Sequence, residues 1–205
     1  MSNAIKPETA SADAVLQYSD VRLRQVSAAV PESAFDSPQF HDWVQRLNAS
    51  RQTFGGIGIA APQIGLFSRL ILIDIPAYER IGFGKVEAIA MHALVNPEIV
   101  WYSDDKLKAA EGCLSVLGYE GFLVRSSRIR LVAFTPQGQR LEFEADSLYA
   151  RCLQHEIDHL DGILYPDRVA ELRDLRKIQA VQADDPVLSH NRYVPRPDAL
   201  TATIM

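Results

Sequence analysis

The chain has 205 residues, 47% hydrophobic and 23% charged, which is enough apolar material for one domain with a real core. A net charge of -5 argues against nucleic acid as a main partner, and two cysteines exclude a disulfide framework and favour a reducing, bacterial-type cytoplasm. No apolar run is long enough to span a membrane, and no basic segment followed by an apolar core opens the chain.

Residues 1–18 are small and polar without a clear period and are expected to be a flexible N-terminal segment. Ser37 to Ser50 carries Phe40, Trp43, Val44 and Leu47 at helical spacing, which predicts a helix with a core-facing stripe. Gly56-Ile57-Gly58-Ile59-Ala60-Ala61-Pro62-Gln63 follows. Its likeness to the dinucleotide fingerprint G-x-G-x-x-A is weak, because no apolar strand precedes it and Pro62 sits where a helix would be starting. It reads better as a small-residue loop that lets a ligand approach the backbone, with Gln63 offering an amide donor. Arg69 to Ile75 and Ala93 to Val95 read as buried strands. Ile129 to Phe134 and Leu141 to Ala145, joined through Pro136-Gln137-Gly138-Gln139, read as a hairpin. Ser147 to Leu160 reads as a helix that Asp146 or Ser147 can cap and Gly162 can end in a left-handed turn. Val169 to Gln182 reads as a charged amphipathic C-terminal helix. Prolines 186, 195 and 197 mark residues 183–205 as a tail, leaving 19–182 as a single catalytic domain.

The chemistry is concentrated in Leu153-Gln154-His155-Glu156-Ile157-Asp158-His159-Leu160. Two histidines four residues apart share one face of a helix and can grip one metal ion, while the glutamate between them can take a proton from water at the ion's open position. At about 100° per residue, Leu148, Cys152, His155, Glu156 and His159 fall on one arc and Tyr149, Leu153, Ile157 and Leu160 on the next. Ala150, Gln154, Asp158 and Asp161 take the opposite side. The histidines thus lie in a wide apolar face, where imidazoles and a carboxylate need partners that a metal supplies. A catalytic centre of this kind usually takes three protein ligands. Downstream, Glu171 lies in a charged stretch and His190 in the proline-containing tail. Upstream, Glu111-Gly112-Cys113-Leu114-Ser115 offers Cys113, whose thiolate suits zinc or ferrous iron, with Gly112 beside it allowing close backbone approach. Taken alone, Cys113 is more often a small buried hydrophobe than a ligand.

The three segments, in this order, resemble the signature motifs of the peptide deformylases: G-x-G-x-A-A-x-Q, E-G-C-L-S and Q-H-E-x-D-H-L. The likeness extends over roughly residues 20 to 180, through Val21 to Val26, Leu94 to Val100 and Asp161 to Arg168. It implies an α+β fold with antiparallel β-sheets packed around the central metal-binding helix, between an N-terminal and a C-terminal helix. It implies Cys113, His155 and His159 as metal ligands and Glu156 as general acid/base. Gln63 and the Leu114 N–H would stabilise oxygen charge. The Gly58 carbonyl would receive the substrate amide, with Gly112 alongside, and Ile57, Leu148 and Cys152 would wall a methionine pocket. Arg125 matches a structural arginine. The implied cofactor is one divalent ion, Fe2+ in the cell, with Zn2+, Ni2+ or Co2+ in purified protein. The implied substrate is the N-formylmethionyl end of nascent chains at the ribosome, with no direct nucleic-acid or membrane binding.

Leu117, Glu120 and Val124 depart from the family pattern near the expected cleft, where members commonly carry proline, arginine and proline. They leave the ligand set intact and bear on substrate preference. Two rivals stand beside deformylation: a general H-E-x-x-H metallopeptidase, against which Cys113 in its motif argues, and an altered-specificity or non-catalytic relative, against which the full set of ligands, Glu156 and Gln63 argues.

Overall fold

A computed structural model describes residues 12–80 and 82–178. The fold mixes α and β, with antiparallel sheets and two α-helices among these residues. Helix α1 (Pro38–Phe54) starts where expected: Ser37 Oγ accepts the Phe40 N–H, Pro38 opens the first turn, and Gly55 closes the helix at φ 74°. The described residues form ten strands: β1 (Gly58–Ala60), β2 (Leu70–Ile75), β3 (Tyr78–Arg80), β4 (Gly84–Val86), β5 (Ile89–Tyr102), β6 (Lys106–Glu111), β7 (Tyr119–Ser126), β8 (Arg128–Phe134), β9 (Arg140–Asp146) and, beyond helix α2 (Ser147–Leu160), β10 (Leu175–Lys177). They form an antiparallel sheet in the order β1-β2-β5-β8-β9, a second in the order β10-β7-β6, and the hairpin β3-β4.

The continuous apolar run of β2 has a direct cause. Ile71, Ile73 and Ile75 share a core with Leu148, Leu153, Ile157 and Leu160 of α2. The alternate residues Leu70 and Leu72 share the other core with Phe40 and Leu47 of α1. Both faces of the large sheet are therefore covered at β2, and period-2 alternation of polarity has no reason to appear in that strand. The far side of α2 meets the smaller sheet: Gln154 Nε2 donates to the Ser126 carbonyl at 3.0 Å, and Asp158 accepts from Arg125 and Arg168. Every residue from Ala150 to Leu160 is buried, including the side expected to face away from the core. Asp146 stands at the N-cap without a side-chain bond, and Gly162 takes the left-handed turn at φ 72°.

The C-terminal helix expected over residues 169–182 is not formed in its described part. One 3-10 turn (Leu172–Asp174) leads into β10, which pairs Leu175 with Gly121, Arg176 with Glu120 and Lys177 with Tyr119. The open edge of β7 offers backbone partners that outweigh helical spacing, and Leu172, on the expected apolar stripe, is 88% exposed. Residues 179–182 and the tail 183–205 lie outside the described residues. Part of the segment expected to be flexible is tied down. Val15 is buried, the Leu16 N–H donates to the Gln63 carbonyl at 2.8 Å, and the Tyr18 N–H donates to the Ser115 carbonyl at 2.7 Å.

Candidate metal centre

Two elements bring the candidate ligands together. Helix α2 carries His155 and His159 on successive turns, and the loop that leaves β6 carries Cys113. One ligand atom from each of the three lies within 4.8 Å of the others, and all three side chains are buried or nearly so. His159 Nε2 stands 3.1 Å from Cys113 Sγ. His155 Nδ1 meets Glu111 Oε2 at 2.8 Å, which leaves Nε2 as its free ring nitrogen. The His155 ring is further fixed by its neighbours, edge-on to His159 at 5.1 Å and stacked on Tyr165 at 6.2 Å. Gly121 makes room for that stack, since a Cβ there would lie 2.7 Å from the Tyr165 ring. Neither Glu171 nor His190 joins the cluster: Glu171 pairs with Arg173 at the surface, and His190 lies outside the described residues.

A buried charge network supports the centre. Glu111 accepts from Arg125 through both oxygens, at 2.6 and 2.8 Å, and from Arg151 Nη1 at 2.7 Å. Burial opposes the Glu111 charge, but the hydrogen bonds from Arg125 and His155 prevail and hold the carboxyl well below the usual range. His155 likewise overcomes burial through Cys113 and Glu111 and is held above its ordinary value, whereas burial and the His155 charge push His159 well below its own. Glu156 is raised to about 7, first by burial and then by Glu111, with His155 opposing. Its Oε2 and His159 Nδ1 find no hydrogen-bond partner among the described residues. Orphaned buried donors and acceptors beside a thiol and two imidazoles fit a divalent ion of borderline softness.

The glycine-rich loop backs onto this cluster. A Cβ on Gly58 would lie 2.4 Å from Glu156 Oε1 and 2.8 Å from Cys152 Sγ, so only glycine admits the carboxylate here. Gln63 Oε1 accepts the Ala60 N–H at 2.8 Å, while its Nε2 lies 3.1 Å from Ser115 Oγ and 3.7 Å from Cys113 Sγ. A Cβ on Gly56 would meet Leu114 Cδ1 at 2.9 Å, which places the loop against the Cys113 segment. Arg51 anchors the loop, donating to the Gly56 carbonyl at 2.9 Å and to Asp74 at 2.7 Å. Ile57, Leu148 and Cys152 fall in one apolar cluster. Burial first, then the Glu156 charge, pushes the Cys152 thiol up, so it behaves as a small hydrophobe. Gly112 lies between Glu111 and Cys113 and is half-buried.

Sequence reasoning missed the supporting groups. Glu111 was visible only as part of its motif, and Tyr165 and Arg151 carry no local signal of a role. Of the departures, Leu117 and Val124 are exposed, and Glu120 faces Arg176 across the β7-β10 pair. The Arg176 guanidinium itself lies over the Phe122 ring, 4.4 Å from its centroid.

The family model for polypeptide deformylase matches residues 12–174. The chain is 36% identical over 178 residues to peptide deformylase 1 of Bordetella pertussis, covering 87% of this chain and 97% of that protein. It is 47% identical over 117 residues to the peptide deformylase of Natranaerobius thermophilus, covering 57% and 68%. Among solved structures, the Met-Ala-Ser-bound class I type b peptide deformylase of Acinetobacter baumannii matches with a TM-score of 0.74 at 29% identity, covering 78% of this chain and 99% of that one. The peptide deformylase of Legionella pneumophila matches with a TM-score of 0.68 at 32% identity, covering 80% and 89%.

Proposed function

The chain belongs to the polypeptide deformylase family, a family of metal-dependent hydrolases, and from that premise we propose that it removes the formyl group from N-formylmethionine at the start of new polypeptides. The observation that carries this reading is the convergence of Cys113, His155 and His159 with Glu156 alongside. These three side chains would hold one divalent ion, Fe2+ in the cell and Zn2+, Ni2+ or Co2+ after purification. When bound, such an ion supplies Lewis acidity, acidifying water and polarising a carbonyl. Glu156, raised to about 7 by burial, is suited to accept a proton from the attacking water and return it to the departing amine near neutral pH. Gln63 Nε2 and the Leu114 N–H would meet the oxygen charge as the formyl carbon becomes tetrahedral.

The sheet supports a reading of substrate placement. β1 stands at the end of the five-stranded order, so an extended peptide can add along it, with the Gly58 carbonyl receiving a substrate amide and Gly112 close by. Ile57, Leu148 and Cys152 supply an apolar wall for the methionine side chain. The domain would span 19–182, and nascent chains met at the ribosome in a bacterial-type cytoplasm would be the substrate; no helix among the described residues is long and apolar enough to cross a membrane.

Formate release from formyl-Met-Ala-Ser tests the reading, with protein purified without oxygen and its metal content measured. Release that scales with about one ion per chain is expected. Cleavage of peptides with free or acetylated N-termini at matching rates would instead make the chain a general metallopeptidase.

Two variants test the parts. Gln63→Ala is expected to raise the barrier by about 2.7–4 kcal/mol, expressed in turnover. An effect confined to KM would leave Gln63 a positioning role only. Gly58→Ala forces Glu156 or Cys152 aside and is expected to cost on the order of 10²-fold in turnover with metal retained. Parental turnover in that variant would show that the carboxylate does not need its observed place.

A further inference from the structure

Arg151 has no part in the chemistry described so far, yet it occupies a costly position. It is 3% exposed, one turn before His155 on α2. Its Nη1 donates to Glu111 Oε1 at 2.7 Å and to the carbonyls of Ala109 and Leu123 at 3.4 and 3.3 Å, and its Nη2 donates to the Leu107 carbonyl. Its Nε finds no partner among the described residues, and burial lowers its pKa. The hairpin β3-β4 covers it: the Phe83 ring lies 5.8 Å from its guanidinium carbon and 5.6 Å from that of Arg80. Burying an arginine with one donor unsatisfied is unfavourable unless the charge does something an apolar side chain could not. Its helix neighbours Ala150 and Leu153 pack into apolar core without such a charge.

The partners of Arg151 show what that is. Leu107, Ala109 and Glu111 all belong to β6, the strand that delivers Cys113. His155 and His159 belong to α2. The ligand set is therefore split between two elements, and its geometry depends on the distance between them. Arg125 spans the same gap from outside, holding Glu111 with one end and Asp158 with the other. Arg151 spans it from within α2.

We propose that Arg151 is a positioning residue for the metal centre: it clamps α2 to β6 through Glu111 and the strand carbonyls, and so sets the separation of Cys113 from His155 and His159. This rests on the reading of those three residues as the ligands.

Affinity for Zn2+, measured by competition with a chromophoric chelator at a pH where the folded chain is intact, tests it without any activity assay. Arg151→Met is expected to weaken binding about 10–100-fold, the range for groups that orient ligands. Arg151→Lys, whose ammonium can reach Glu111 but not all three carbonyls as well, is expected to recover part of that loss. In a Glu111→Gln background the same Arg151→Met change is expected to cost less than in the parent, because the charged contact of the clamp is already lost while the strand carbonyls remain. An equal loss in both backgrounds overturns the proposal, as does parental affinity in folded Arg151→Met. Should that variant fail to fold, Arg151→Lys decides: native near-UV circular dichroism with several-fold weaker binding supports the clamp, and parental affinity overturns it. A Cys113→Ser chain in the same titration separates the two readings. Parental affinity there defeats the ligand assignment, whereas dependence on Cys113 with none on Arg151 defeats only the clamp.

Discussion

Glu156→Gln is expected to keep its metal and to lose turnover beyond the ~10²–10⁴ that a single general acid/base step is worth, because the same carboxylate serves both proton transfers. The glutamine retains the shape that Gly58 and Cys152 accommodate, so packing around the site should hold. Near-parental turnover with metal bound would move the proton chemistry to another group. A second readout needs no substrate. In the metal-free chain Glu156 is raised from 4.5 to about 7 by burial, so the folded state binds its proton more tightly than the unfolded state does. Between pH 4.5 and 7 the folded chain therefore carries more protons, and stability falls as pH rises through that window. At 1.36 kcal/mol per pKa unit the change amounts to roughly 3 kcal/mol. Glu156→Gln lacks it. Metal-free parent should thus lose stability relative to the glutamine variant from pH 4.5 to 7.5, by denaturant unfolding. Parallel pH profiles would mean that the carboxylate is not perturbed as its burial implies.

How far the sequence revealed this site depended on where each residue finds its partners. His155, Glu156 and His159 are neighbours on one helix, so their spacing alone puts them on one face. Cys113 and Gln63 became legible as ligand and donor only through the motifs around them, since neither has a local pattern that marks a role. The hairpin β8-β9 was readable because the Pro136-Gln137-Gly138 turn acts within a few residues, and α1 through the spacing of Phe40, Trp43, Val44 and Leu47, although the helix runs on past Ser50 to Phe54. β6, β7 and β10 were not, because their burial is set by contacts far along the chain. β10 is the plainest case: three residues with charged side chains at two positions became a strand through pairing with β7, where spacing had suggested a helix. The same limit hid Glu111 and Tyr165. Their roles are defined by His155, 44 and 10 residues away in the chain.

Cys113→Ser is expected to release the metal or to weaken it by more than the ~10–100-fold that losing a group hydrogen-bonded to a ligand costs. A serine hydroxyl is a poor donor to zinc or ferrous iron at neutral pH, and two imidazoles alone leave the set one ligand short. The substitution should spare the fold. Cys113 sits in the small cluster with Val116, Leu123, Leu164 and Tyr165, whereas α2 is held by the main core and by the Arg151–Glu111 and Arg125–Asp158 ion pairs. The Ser115 N–H that lies 3.4 Å from Sγ could still be accepted by a hydroxyl. Thermal unfolding separates the possibilities. A ligand that binds only the folded chain stabilises it by mass action, by about 2.7 kcal/mol at a hundredfold excess over its Kd. Added Zn2+ should raise the Tm of the parent and leave that of Cys113→Ser nearly unchanged, while the two metal-free chains melt close together. Full metal occupancy in Cys113→Ser would remove the thiolate from the centre. A metal-free variant that melts far below the metal-free parent would instead make Cys113 a packing residue, and its place beside the histidines would then need another cause.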